Sequence, residues 1–339
     1  MKPMNYLQSG GGKYDLLKII LAVLIVLLHT RPLPCAFQPI LRLSVPLFFV
    51  MTSFFFFNKI KGLNKSDKYS ALKKFSLRNL RLYIFWFIVL LPITLLHQRW
   101  FDAGILHGFL RFIRNLVLGS TFPASWFITA SIISVSLVTF ASDYLNNVFL
   151  LAVGIITYLF CSLDANYHFL IPQLSQTFSI YHTLFAIPYL SFPVALVWIV
   201  IGKIIAENQV NIKGQYGYPA LLIAFCFLYS EHYLSNKYRW VLDDDCYISL
   251  LVVVPLIFIL ISQHSITIKS AGFLRKLSTM IYCSHLSLLK IIDMLLSNRD
   301  LIINSWLLFL LCLSISAGLS VSMLVLEEKY NITILKYSH

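Results

Sequence analysis

One apolar stretch, YDLLKIILAVLIVLLHT, carries two ionisable side chains that hydrocarbon should not hold without a reason: Lys18 and His29. On an α-helix their spacing amounts to three turns plus about 20°, so both fall on one face, roughly 16 Å apart along the axis. Asp15 lies one turn before Lys18, within pairing reach. Lys18 either serves a site or snorkels to the inner headgroups, and His29 either serves a site or caps the outer helix end before Thr30-Arg31-Pro32. A second pair, Arg78 and Arg81, forms R-x-x-R at a helix start. Two neighbouring guanidiniums there could grip phosphates, helped by the positive helix N-terminus, or simply anchor the chain at an anionic surface. A third polar cluster surrounds His285 in LSTMIYCSHLSLL, with Ser278, Thr279, Ser284 and Ser287, where hydrogen bonding between helices is the plainer account.

The elements that position these residues follow from composition. Of 339 residues, 58% are hydrophobic and 12% charged, about half the charge of a soluble domain. The surplus apolar surface must face lipid, and its continuous runs exclude the alternating pattern of a transmembrane β-barrel. The expected fold is all-α: a polytopic transmembrane bundle of about ten helices in a single domain over 1–339, without an appended soluble module. The net charge of +13 is read as loop anchoring, and no basic tail or soluble segment is left to bind nucleic acid. The six cysteines are scattered without a C-x-x-C pair, which argues against a disulfide framework or a zinc site, and no metal is expected. Gly-rich phosphate loops, G-x-S-x-G and H-E-x-x-H are absent.

The expected spans are 14–30, 41–57, 80–97, 123–141, 148–163, 182–203, 216–234, 246–262, 277–297 and 303–326, several interrupted by proline. The first is a retained span, not a leader, because no small-x-small cleavage pattern follows it. With both termini inside, Lys13, Lys59, Lys61, Lys65, Lys68, Lys73, Lys74, Arg78, Arg81, Lys203, Lys213, Lys269, Arg275, Lys276, Lys329 and Lys336 join Lys2 on the cytoplasmic side. Fewer fall outside: Arg31, Arg42, Arg99, Arg111, Arg114, Lys237, Arg239 and Arg299. Residues 104–119, with Arg111 and Arg114 on an apolar helix, are expected to be interfacial or cavity-lining. Residues 235–245, ending in three aspartates, are expected to form a solvated loop, and Phe54 to Phe57 to face lipid.

These segments, in order, resemble the acyltransferase 3 family of bacterial membrane O-acyltransferases over nearly the whole chain. The opening helix with Asp15, Lys18 and His29, RLSVPLFFVMTSFFFF, LRNLRLYIFWF, PASWFITASI with Trp126 and Phe127, FPVALVWIVIGKII and FLRKLSTMIYCSHLSLL with Ser278, Tyr282 and His285 are similar to its successive motifs. Departures are Thr52-Ser53 where Ser-Gly is usual, Cys283 in place of a leucine, and Ser125 before Trp126 where histidine is frequent. The resemblance implies transfer of an acyl group, usually acetyl, from cytoplasmic acyl-CoA to a hydroxyl of an exported or surface glycan, in the bacterial inner membrane. No permanently bound cofactor is implied.

Under that resemblance Arg78, Arg81 and Lys18 are expected to hold the CoA phosphates, and a continuous cavity to lead the thioester to His29. His29 is the expected general base or transient acyl carrier, with Asp15, Ser53, Trp126, Tyr282 and His285 in support. The acceptor is a glycan or a lipid-linked saccharide, and the reading leaves room for a homo-oligomer or a glycan-assembly partner beside the membrane lipid. The competing reading is a transporter or flippase-like protein, which ten helices and a polar cavity also suit.

Overall fold

The computed structural model describes residues 11–97, 104–297 and 303–339, and all regular structure among them is helical. Lys2, Arg99 and Arg299 of the charge reading lie outside the described residues. Twelve helices of more than one turn run in order: α1 Gly11–Thr30, α2 Ser44–Ile60, α3 Lys65–His97, α4 Ile105–Val117, α5 Trp126–Ala141, α6 Asn147–Asp164, α7 Ser175–Phe185, α8 Phe192–Asn208, α9 Gly214–Lys237, α10 Leu250–Gln263, α11 Ala271–Ser297 and α12 Ser305–Tyr330. Among the described residues six helical segments are long and apolar enough to cross a membrane: Cys35–Ile60, Lys65–Leu95, Asn147–Asp164, Pro172–Asn208, Ala271–Ser297 and Ser305–Tyr330. The protein is a multi-pass membrane protein.

Helix α2 is the hub. It packs most extensively on α8, and small residues let the backbones meet. A Cβ on Gly202 would lie 2.6 Å from both the Ser53 Cβ and the Val50 carbonyl oxygen, and one on Gly154 of α6 would lie 2.9 Å from the Cα of Val197 on α8. Close approach through small residues substitutes for the hydrophobic drive that lipid removes. Phe54, Phe56 and Phe57 are buried in this core and Phe55 packs edge-on to Tyr14. The expectation that this run faces lipid is therefore corrected: a central helix presents every side to other helices.

The expected span 182–203 is broken. Helix α7 ends at Phe185, Ala186 adopts φ of 73°, a 3-10 turn runs Pro188–Leu190, and α8 starts at Phe192 with Pro193 in its first turn. The positive φ of Ala186, Pro188 two residues on and Pro193 in the first turn of α8 leave no route for a continuous helix.

Contacts between helix ends define two poles. At one, Lys13 Nζ reaches the His264 carbonyl (2.5 Å), Lys61 Nζ the Glu207 carbonyl (2.7 Å), Lys203 Nζ the Asn147 side chain (2.6 Å), and Lys68 pairs with Asp143. This basic pole joins the starts of α1, α3 and α6 to the ends of α8 and α10, and at the end of α12 Glu327 pairs with Lys276 (3.6 Å). At the opposite pole Phe169 N–H donates to the Trp240 carbonyl (3.0 Å) and the Ser162 hydroxyl to the Cys246 carbonyl. The C-terminal tail folds back, with the Trp86 indole N–H donating to the Ser338 carbonyl (2.9 Å).

Candidate functional site

A cavity of about 880 Å³ opens at the basic pole between α1, α2, α3 and the start of α11. Lys18, Lys59, Lys74, Arg78 and Arg275 line it, and Asp15 is the one carboxylate in its wall among the described residues. Asp15 pairs with Lys18 at 3.5 Å, and Lys18 Nζ also sits 5.4 Å from the Phe55 ring centroid. The spacing of Gly11, Asp15 and Lys18 on α1, and of Ala71, Lys74 and Arg78 on α3, turns one stripe of each helix toward the space.

At the other pole a cavity of about 780 Å³ is lined by His29, Arg42, Trp126, Asp243, Asp245, Tyr282 and His285 among others. His29 is exposed to it, with its ring centroid 5.5 Å from that of His285. His285 is fully buried, and its Nδ1 lies 2.7 Å from the Tyr282 carbonyl. A carbonyl only accepts, so Nδ1 carries the proton and the lone pair resides on Nε2. Among the described residues Nε2 has no hydrogen-bond partner. The Tyr282 hydroxyl donates to the carbonyl of Ala124 (3.2 Å), whose φ of 67° turns this short segment ahead of α5.

The two cavities share no lining residue. The continuous passage expected from the sequence is thus interrupted, at the level where Leu21 and Ala22 of α1 are buried. Phe48 lines the basic cavity and Tyr282 the histidine cavity, with ring centroids 6.0 Å apart. Phe127 touches both rings, at 6.1 Å from Phe48 and 5.3 Å from Tyr282. At this point a single layer of aromatic rings stands between the spaces.

A family model described as an acyltransferase domain matches residues 12–325. The chain belongs to the acyltransferase 3 family. No curated protein and no solved structure matches it.

Within this acyltransferase 3 chain, the structure groups Asp15, Lys18 and Arg78 in one cavity and His29, Trp126, Tyr282 and His285 in the other. Two expected site residues sit elsewhere. Arg81 is one turn beyond Arg78, exposed and outside the cavity lining, with its guanidinium 5.5 Å from the Tyr337 ring centroid of the C-terminal tail. The Ser53 hydroxyl donates to the Ile199 carbonyl at the α2–α8 contact, while its neighbour Thr52 lines the basic cavity. Ser125, which replaces a frequent histidine, accepts from the Thr121 and Phe122 N–H groups (3.0 and 3.3 Å) and holds the turn into α5.

The sequence reading passed over Lys59, Lys74 and Arg275, because basic residues near helix ends satisfy loop anchoring without a site. The i,i+4 spacing of Lys74 and Arg78 was the available signal. The aspartate loop is also more than a solvated loop. Arg42 Nη2 bonds Asp243 (3.0 Å), Nη1 bonds Asp245, and the Tyr247 hydroxyl donates to Asp244 (2.6 Å). A guanidinium in the adjacent chain turn folds the loop over the cavity mouth.

Proposed function

We propose that this protein is a membrane O-acyltransferase of the bacterial inner membrane, with ten membrane-crossing helices, both termini cytoplasmic and one domain over 1–339. It moves an acyl group, acetyl by preference, from cytoplasmic acyl-CoA to a hydroxyl of an exported or surface glycan. Family membership supports acyl transfer; the observation that carries the finer reading is the pair of unlike cavities meeting at Phe48 and Tyr282.

The basic cavity suits the donor. Five cations set against one carboxylate leave a strongly positive space at the pole that also collects the lysine-rich loops. The phosphates of CoA are neutralised there by Arg78, Lys74, Lys59 and Arg275, while Lys18, held by Asp15, meets the pantetheine arm at the deep end. Arg81 contributes general positive charge from the exposed surface beside the tail. The thioester passes the aromatic layer when Phe48 and Tyr282 part, a rotamer change within the reach of ordinary side-chain motion.

The histidine cavity suits the chemistry. The Nε2 lone pair of His285 has no partner among the described residues, and the His29 ring centroid lies 5.5 Å from that of His285. In the reacting arrangement His29 turns to donate an N–H to it, which leaves the second His29 nitrogen with a lone pair facing the space. That nitrogen takes the proton of the acceptor hydroxyl as its oxygen attacks the thioester carbonyl. The C–S bond breaks, and the departing CoA sulfur receives the proton, so atoms and charge balance. In the variant route His29 nitrogen attacks first, CoA leaves as thiol, and the acyl-imidazole then acylates the hydroxyl.

Two cavities closed from each other also suit alternating access in a transporter. Purified protein with labelled acetyl-CoA separates the readings: acyl transfer requires acceptor-dependent release of CoA and label on the acceptor. Transport of label without CoA release would contradict it.

A further inference from the structure

A third cavity, of about 1050 Å³, lies between α4 and α7 and meets the histidine cavity through Ser120, Leu190 and Leu242, which line both. We infer that it is the acceptor site and takes a membrane-anchored saccharide whose linkage carries phosphate. The word acceptor rests on the acyl-transfer reading; the ligand chemistry rests on the cavity itself.

Its inner face is cationic. His107, Arg111 and Arg114 recur at i, i+4 and i+7 on α4, and no carboxylate lines the space among the described residues. Arg114 is occupied, donating to the His182 and Thr183 carbonyls (2.7 and 2.9 Å) and so tying α4 to α7. Arg111 is exposed and pairs with no carboxylate among the described residues, which leaves a planar donor fork for a phosphate.

Its floor is built for hydroxyls. Fully buried Asp164 accepts from His182 Nε2 at 2.6 Å behind the cavity wall, which fixes the orientation of the imidazole that lines it. Ser175 and Ser179 add hydroxyls to the lining. Its lips are apolar: Leu110 and Leu184 line the cavity yet are 58% and 59% exposed, beside Ile105, Leu106 and Phe109 on α4 and Ile180 on α7. Short amphipathic helices with apolar outer faces rest in the membrane interface, so the cavity opens sideways toward lipid. A ligand with an isoprenoid tail, a phosphate and a sugar would place these parts against the lips, Arg111 and the floor of His182, Ser175 and Ser179 respectively, with Ser120 leading toward His29.

The test is equilibrium binding to the full chain in nanodiscs of uncharged lipid, with farnesyl pyrophosphate, inorganic pyrophosphate and farnesol as probes. Farnesyl pyrophosphate should bind at least about 10-fold more tightly than either other probe. Arg111→Gln should weaken it about 10-fold or more and leave acetyl-CoA binding, the check on folding, unchanged. Equal binding of inorganic pyrophosphate would overturn the membrane anchor, and equal binding of farnesol the phosphate. Loss of farnesyl pyrophosphate binding in Arg78→Gln but not in Arg111→Gln would move the site to the basic cavity and overturn the proposal. No turnover enters these readouts, so they stand or fall separately from acyl transfer.

Discussion

The two cavities that meet at Phe48 and Tyr282 treat charge in opposite ways. At the basic pole, cations outnumber carboxylates and Asp15 restrains only Lys18. At the histidine pole, Arg31 and Arg42 face Asp243, Asp244 and Asp245, the Arg42 guanidinium is spent on two of these aspartates, and the free chemistry belongs to the imidazoles of His29 and His285. An uncompensated cationic space binds polyanions; a space in which carboxylates match or outnumber the guanidiniums offers polyanions no such net attraction. Binding and chemistry can be divided between the ends of one helix, because α1 carries Lys18 and His29 on one face three turns apart.

The largest break of that division is His29→Ala, expected to lower acceptor-dependent CoA release by about 10³-fold or more, with membrane insertion unchanged by protease mapping. Arg78→Gln should raise the half-saturating acetyl-CoA concentration by about 10- to 100-fold, and Arg78→Lys should recover only part of it if paired hydrogen bonds matter. Phe48→Ala, which thins the layer between the spaces, should increase acceptor-independent CoA release several-fold by admitting water, about 1 kcal/mol of barrier. An unchanged hydrolysis rate would mean the layer does not separate the two halves. Arg81→Gln should shift the acetyl-CoA requirement by no more than about 3-fold, since an exposed charge outside the cavity lining is screened by solvent and contributes little; a loss equal to that of Arg78→Gln would restore the two arginines as a unit.

The smallest effect lies at the rim of the basic pole. Hydrogen bonds from Lys68 and then Tyr69 hold the Asp143 carboxyl below its ordinary range. A depressed folded-state value contributes stability above the unfolded pKa of about 3.9 that is lost as pH falls through the folded one. Asp143→Asn should therefore flatten the drop in thermal stability below about pH 4, measured in a detergent melt, and leave acetyl-CoA binding alone.

Much of the fold was legible because continuous apolar runs of helical length leave few alternatives: a helix occupies nine of the ten expected spans, and 182–203 divides between α7 and α8. The breaks were less so. Pro188 and Pro193 marked the 182–203 segment, yet only the packing of α7 beside α4 explains why the chain turns at Ala186. The stripe Asp15, Lys18, His29 could be read from one helix, as could Arg78, Trp126, Tyr282 and His285 from their motifs. What stayed hidden depends on partners distant in sequence: Ser53 answers to Gly202, Arg81 to Tyr337, the aspartate loop to Arg42, and the burial of Phe54 to the helices around α2. Lys59, Lys74 and Arg275 were hidden for another reason, since a basic residue at a membrane surface needs no site to explain it.

Equilibrium binding of labelled acetyl-CoA to the wild-type chain, His29→Ala and Arg78→Gln, side by side in uncharged nanodiscs, tests the division of labour most directly. Donor capture at the basic pole predicts equal affinity for wild type and His29→Ala, and an affinity about 10-fold or more weaker for Arg78→Gln. Affinity lost in His29→Ala and kept in Arg78→Gln would contradict it.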